Sequence, residues 1–375
     1  MEDMIKVGID TFGCDHGRSG LGSCLFYLTS NLKSNDEDIQ FELFGLEQDR
    51  FIYTENNGFS FQAVPLADNL KAQASWHHRG GLKLFSIKNS YDLIIYPAVS
   101  KVFPFAFTKN GIAIVNSVLS NSYEKMNFIY KKLFKNGLSN SKIIIAGTNF
   151  IKNDLIKIGI PEEKIRVIYN GIDHKIFFPK LSADEEIYVS PFSVKRPYFI
   201  YGSRLSNQYK KHIELIKAFE IFKKKTGLPH RLVLAGEDGD YSKEINNAVF
   251  NSEFASDIFL TGFFPHESFA TLYTGAEACI FPAVNEGIGL PIIEAMASGI
   301  PVLCSDSGAL KEIGGHAPLY FNSDKPEEIA SLMEKVTSDT DLRAKMIDLG
   351  YIQAGKFNWN KTAEELIKII REIRA

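Results

Sequence analysis

The sequence predicts an α/β protein of two doubly wound, mostly parallel sheets, one in each half of its 375 residues. Short β-branched runs bounded by turn residues alternate with longer amphipathic segments, which is the pattern of strand–helix–strand units. The alternation occurs twice, on either side of the stretch IFFPKLSADEEIYVSPFSVKRP (176–197), whose three prolines break the periodicity and mark a linker. A chain of this length, with 45% hydrophobic and 23% charged residues, is long enough to bury two separate cores.

In the first half, IKVGID (5–10) reads as a buried strand, followed by a glycine-bearing loop and the helix LGSCLFYLTSNL. YDLIIYPA (91–98), GIAIVNS (111–117), SKIIIAGT (141–148) and KIRVIYNG (164–171) read as further strands. NFIKNDLIKIG reads as a helix stopped by Gly159 and Pro161. In the second half the order is strand YFIYGS, helix HIELIKAFEIFKKKTG, strands HRLVLAGE and IFLTG, then helix ESFATLYTGA. Strand ACIFPA, helix PIIEAMASG and strand PVLCSD complete it.

A formal net charge of −3 gives no reason to expect a nucleic-acid partner. The charge is uneven: residues 1–180 carry 21 Lys and Arg against 18 Asp and Glu, the remainder 21 against 27. Cys14, Cys24, Cys279 and Cys304 are scattered without a CxxC pair, which fits inert thiols in a reducing compartment. The start, MEDMIKVGID, lacks the pattern of a signal peptide, and the longest apolar runs are too short to span a bilayer. The expected location is cytoplasmic.

Ligands of doubly wound sheets sit at the carboxyl ends of strands, against helix N-termini. EGIGLPIIEAMASGIPV (286–302) follows a strand and opens a helix, with Pro291 suited to its first position. Backbone amides of Gly287, Ile288, Gly289 and Leu290 would be unpaired there and form a phosphate site. Glu286 and Glu294 repel phosphate and are suited to hydroxyls on either side of it, so the stretch asks for a molecule with phosphates between two sugars. Both acids also fit plain roles, one in a solvated loop and one near a helix start. In GSRLSNQYKKHIELIKAF (202–219), Arg204 and Lys210 lie between a strand and its helix, placed to neutralise a diphosphate. Lys211 is the neighbouring alternative to Lys210, and a surface position is the ordinary fate of such cations.

These motifs, in this order, resemble a retaining glycosyltransferase of family four. The family's Glu–seven residues–Glu motif stands at Glu286 and Glu294, and its Arg and Lys at Arg204 and Lys210. IRVIYNGIDHKIFFP resembles the end of the family's first domain, and LTGFFPHESFATLYTGAEACIFPA and GALKEIGGHAPLYFNSDKPEEIA resemble its second. FNWNKTAEELIKII resembles its terminal helix. The resemblance implies the GT-B fold, two facing Rossmann-like domains with an interdomain cleft. Residues 1–180 would form the acceptor side, with a helix of about 358–375 packing back on it, and 181–357 would bind the nucleotide sugar. It implies transfer of a hexose from a UDP-sugar or GDP-sugar to a glycan or lipid-linked acceptor, with retention, and with neither metal nor cofactor.

By the same resemblance, Glu286 lies near the donor sugar, Glu294 holds the ribose, and Arg204 and Lys210 bind the diphosphate. HGRSGLGSCLFYL matches the family's glycine loop, with Gly20 and Gly22 near donor phosphates or acceptor. A plain strand-to-helix turn reads the same way. One departure stands out: where many members carry a His-Asp pair, this sequence has Asn116 and Ser117. Asn hydrogen-bonds a sugar hydroxyl but is neither base nor cation. That departure motivates one rival, a catalytically weak or inactive nucleotide-sugar-binding protein; a sugar-nucleotide epimerase or a sugar phosphorylase on a similar two-domain fold is the other.

SWHHRGG (75–81) reads as a surface loop, since its two histidines have no third ligand nearby. The acidic triplets at 36–38, 238–240 and 339–341 read as solvated turns. EKMNFIYKKLFKNG (124–137) sets Phe128, Ile129, Leu133 and Phe134 among Lys131, Lys132 and Lys135. That pattern fits either a core helix with outward lysines or peripheral contact with an anionic membrane.

Overall fold

The computed structural model describes residues 4–374 apart from 34, 37, 55–57, 103–104, 106–109, 181–184, 190–191 and 265–267. The chain divides into two units, Met1–Gly171 with Trp359–Ala375, and Ile172–Asn358. Residues 181–184, where the sequence expectation puts the boundary, lie outside the described residues. The second unit begins upstream of them: Ile172 bridges to Asn358, and Phe177 is buried against Tyr273.

The first unit is built on strands β1 (Ile5–Asp10), β2 (Asn35–Asp36), β3 (Ile39–Gly45), β4 (Ser60–Ala63), β5 (Leu93–Tyr96), β6 (Asn110–Val115), β7 (Ile143–Ala146) and β8 (Ile165–Val167). They run in the order β2-β3-β1-β5-β6-β7-β8, with β4 on the outer edge of β3, and all but β2 are parallel. Val7 sits in register with Phe41 on one side and Leu93 on the other. Val7, Ile9, Ile112 and Ile144 are fully buried, which explains why these strands read as continuous apolar runs rather than alternations.

The helices of this unit are α1 (Gly20–Asn31), α2 (Glu47–Thr54), α3 (Leu70–His78), α4 (Gly81–Lys88), α5 (Ser120–Lys125), α6 (Phe128–Asn140) and α7 (Asn149–Lys157). Side-chain caps set several starts: Ser19 for α1, Asn69 for α3, Asn127 for α6 and Thr148 for α7. The C-terminal helix, Trp359–Arg374, packs beside α1, with Trp359 stacked on Tyr27 at 6.0 Å and Thr362 donating to the Tyr169 carbonyl at 2.8 Å.

The stretch expected as a linker is partly a hairpin of β9 (Glu186–Val189) and β10 (Phe192–Lys195). Ile187, Val189 and Val194 are buried, and Gly275 packs against Ile187, so alternating apolar residues outweigh the flanking prolines. The second sheet holds β11 (Tyr198–Gly202), β12 (Arg231–Ala235), β13 (Ile258–Gly262), β14 (Ala278–Phe281), β15 (Val302–Ser305) and β16 (Leu319–Phe321). Its order is β13-β12-β11-β14-β15-β16, entirely parallel. Successive strands run outward from β11 to β13, then return to β14 on the other side. The switch in direction lies between β11 and β14, where such sheets open a ligand crevice at their carboxyl ends. The helices of this unit are α8 (His212–Thr226), α9 (Ser242–Phe250), α10 (Ser268–Gly275), α11 (Leu290–Ala297), α12 (Leu310–Gly314), α13 (Pro326–Ser338) and α14 (Thr340–Ala354).

Candidate functional site

The loops after β11 and β14 meet at this switch point. Lys210, on the loop leaving β11, donates to Glu286, on the loop leaving β14, at 2.9 Å. Both side chains are about one quarter exposed, 27% and 23%. An ion pair so exposed is worth roughly 0–1 kcal/mol of stability. An anionic ligand can therefore take over Lys210 at little cost.

Both partners are held by their backbones. The Tyr201 hydroxyl donates to the Lys210 carbonyl at 2.8 Å, and burial pushes this phenol well above its ordinary pKa, so it stays a donor. Val284 N–H donates to the Tyr209 carbonyl at 2.8 Å, tying the two loops together. Ala309 N–H donates to the Glu286 carbonyl at 2.9 Å. Gly308 makes that contact possible: its φ is +66°, and a Cβ there would stand 2.6 Å from the Glu286 carbonyl oxygen.

Arg204 is more than half exposed and lies 3.4 Å from Glu237. Its loop is tied to the end of β12 by Leu205 N–H donating to the Glu237 carbonyl at 3.0 Å. Lys211, the neighbouring alternative to Lys210, is held in ion pairs of its own. It adopts φ +56° and binds Glu214 at 2.9 Å and Asp324 at 2.6 Å.

Helix α11 starts as its sequence signals, with Gly289 at the N-cap in a left-handed conformation and a proline in the first turn. Gly287, Ile288 and Gly289 are buried and Leu290 partly so, while Glu294 is buried one turn further on. The motif thus carries one acid in a partly exposed loop, paired with lysine, and the other inside the packed helix.

In the first unit, Ser19 Oγ accepts from Gly22 N–H at 3.3 Å. A Cβ on Gly22 would stand 2.1 Å from the Cys14 carbonyl, so this glycine serves close packing of α1 on the preceding loop. Gly20 opens the helix in an exposed position. Asn116 follows β6, and its buried Oδ1 has no hydrogen-bond partner among the described residues. It lines a cavity of about 30 Å³ with Cys24, Asn170, Trp359 and Thr362.

SWHHRGG is not a loop. It ends α3, where His77 is buried and paired with Asp10 at 2.6 Å, and His78 stacks on Phe105. Two of the acidic triplets have local roles: Asp238 bridges to Leu205, and Asp339 caps α14 by accepting from Leu342 N–H at 2.9 Å. In the first triplet Asp36 pairs with Arg371, while Glu37 lies outside the described residues. All four cysteines are buried free thiols, and burial pushes Cys14, Cys279 and Cys304 upward in pKa. Among the described residues, no helix is long and apolar enough to cross a membrane.

Comparison with known proteins points to one family. Residues 18–176 match the model described as Glycosyltransferase Family 4, and residues 182–353 match Glycosyl transferases group 1. The chain belongs to glycosyltransferase family 4. The O-antigen chain mannosyltransferase B of Escherichia coli is 24% identical over 69% of this chain and 68% of its own length. An uncharacterized glycosyltransferase of Methanocaldococcus jannaschii is 28% identical over 61% of this chain and 59% of its own length. The O-antigen chain mannosyltransferase RfbU of Salmonella typhimurium is 24% identical, and the chain spans 54% of its length.

Among solved structures, Anabaena Alr3699/HepE in complex with UDP and glucose superposes with a TM-score of 0.77 at 17% identity, over 98% of this chain and 99% of that one. The lipopolysaccharide-biosynthesis glycosyltransferase WaaG gives 0.71 at 14% identity, over 98% and 99%. The family 4 chain therefore has the GT-B fold, with both of its Rossmann-like units matched.

Proposed function

We propose that this family 4 protein transfers a hexose from a nucleotide diphosphate sugar to an acceptor hydroxyl, with retention at the anomeric carbon. One observation carries the reading: the Lys210–Glu286 pair straddles the switch point of the second sheet, beside the start of α11. The donor diphosphate replaces Glu286 as the partner of Lys210, with Arg204 and the amides of Gly287 to Leu290 around it. Glu286, released, accepts a hydroxyl of the donor sugar, and Glu294 takes the ribose hydroxyls. The bond from the anomeric carbon to the phosphate oxygen breaks as the acceptor oxygen bonds on the same face, and the acceptor proton passes to that phosphate oxygen. Lys210 and Arg204 stabilise the charge developing on the departing diphosphate. No protein nucleophile and no metal enter these steps.

The donor is a UDP-sugar or GDP-sugar. The UDP and glucose of the Alr3699/HepE complex support the first, and the mannosyltransferase relatives are compatible with the second. In the first unit Asn116 stands at the family's His position, where an amide can hydrogen-bond a sugar hydroxyl but is neither base nor cation. Thermal-shift titration with UDP, GDP, ADP and TDP, followed by donor-hydrolysis assays, tests this reading. Binding of a nucleotide without hydrolysis or transfer of any donor would instead favour a binding protein, the reading that Asn116 in place of His motivates.

A second observation supports peripheral contact with an anionic membrane. On α6, Phe128, Ile129 and Tyr130 are 80%, 67% and 53% exposed, beside Lys131, Lys132 and Lys135, while Phe134 and Leu138 hold the helix to the core. Apolar side chains standing out of a basic helix enter a lipid surface as the lysines meet its phosphates. A lipid-linked acceptor would be presented at that surface.

A further inference from the structure

At the carboxyl ends of β1 and β3, a polar cavity of about 190 Å³ opens within the first unit. It has room for about a dozen water-sized groups, the size of one hexose ring. Thr11, Asp15, His16, Asp49, Asp68 and Gln73 supply its polar wall, and Phe12, Leu46 and Leu70 its apolar one.

The wall is ordered. The loop after β1 turns through four residues of positive φ, Gly13, Asp15, His16 and Gly17, and so carries the His16 ring back over the sheet edge. His16 Nδ1 lies 2.6 Å from Asp49 Oδ1, and Nε2 lies 3.2 Å from Asp68 Oδ2. Thr11 Oγ1 donates to Asp49 Oδ2 at 2.6 Å, and Gly13 N–H donates to Gln73 Oε1 at 3.1 Å. Asp49 is buried at this edge, and burial raises its pKa against the hydrogen bonds from Thr11 and His16. The cavity thus pairs carboxylate, imidazole and amide groups with an aromatic and aliphatic side, the mixture that suits a sugar ring, with hydroxyls at its edge and C–H groups on its faces.

The charge of this wall narrows the ligand. Three carboxylates line the cavity, and neither Lys nor Arg does; Lys101, outside the lining, is paired with Asp15. Lys101 offsets Asp15, but a phosphate group entering here would still meet like charge at Asp49 and Asp68, which share only the His16 imidazole as an ion-pair partner among the described residues. We infer that this cavity binds an unphosphorylated sugar ring, neutral or amino-substituted, and rejects phosphorylated sugars and polyols. Resting on the transferase reading, that ring is the acceptor residue of the reaction, and Asp49, Asp68 and His16 set acceptor specificity.

The test uses the full chain and saturation-transfer NMR with three probes: methyl α-mannopyranoside, glucosamine and mannose 6-phosphate. Saturation is expected for the first two and absent for the third. Asp68→Lys, a change at an exposed position, should cut the glucosamine signal at least fivefold and admit the phosphate. Leu70→Trp, also at an exposed position, should fill the cavity and abolish both sugar signals. The proposal is overturned by no sugar saturation, by mannose 6-phosphate saturating the unaltered protein as strongly as the neutral sugar, or by Leu70→Trp leaving the signals unchanged. Thermal shift with UDP and GDP on the same samples separates the two proposals. Nucleotide binding without sugar saturation sinks the cavity assignment and leaves the transferase reading standing; sugar saturation without nucleotide binding does the reverse.

Discussion

Lys210 shows how little a single side chain needs in order to be both stable and available. Its ion pair with Glu286 adds little to folding at that exposure, while its backbone is fixed by Tyr201. Lys210→Ala should therefore leave the unfolding free energy within about 1 kcal/mol and lower turnover by about 100-fold or more, as removal of one transition-state cation or donor does. Turnover and urea unfolding measured on the same variant check both halves. Two buried histidines make a separate prediction. Burial, with Lys210 nearby, pushes His212 down to about 4, and burial, with Lys223 and Arg343 nearby, does the same to His230. A folded-state pKa below the unfolded value of about 6.5 means that the unfolded chain takes up protons first. The stability held above pH 6.5 is thus lost as pH falls from 6.5 towards 4, by about 1.4 kcal/mol per pH unit for each ring. Urea unfolding at pH 7.5 and 5.5 measures the loss, and His230→Phe should halve its slope. Equal stability at the two pH values would contradict it.

At the scale of the element, α11 was the most legible piece of the site. Gly289 and a first-turn proline announce its start, and the acid eight residues after Glu286 falls on its buried face. The pairing of Glu286 with Lys210 was not legible, because 76 residues separate them and only the parallel pairing of β11 with β14 brings their loops together. Gly308 carries no local signal either; its role is set by the Glu286 carbonyl facing it. Gly308→Ala should force that contact apart and strain a φ of +66°, costing about 1–3 kcal/mol. It should also weaken nucleotide binding in the thermal-shift assay. Helix α6 makes a prediction of its own: Phe128→Glu with Ile129→Glu should abolish cosedimentation with phosphatidylglycerol vesicles and leave thermal stability unchanged, since both side chains already face solvent. Sedimentation equal to that of the unaltered chain would remove α6 from any membrane contact.

Across the whole molecule, the two doubly wound sheets followed from buried β-branched runs, which are continuous because parallel strands are covered on both faces. The β9–β10 hairpin was hidden by its prolines, and α3 by the histidines that drew a loop reading to SWHHRGG. His77 is a core residue because Asp10, 67 positions away, is buried against it. The polar cavity was equally out of reach, since it draws on Thr11, Asp49, Asp68 and Gln73 from three separate connections. What the two units share is placement: each gathers polar side chains at the carboxyl edge of its sheet, as doubly wound folds do. The most direct test of the central claim is nucleotide diphosphate release from a panel of UDP- and GDP-hexoses, measured on the unaltered chain and on Lys210→Ala. Release from at least one donor, reduced about 100-fold or more in the variant, is the expected result. Release from none of them, or release at the same rate in both proteins, would contradict it.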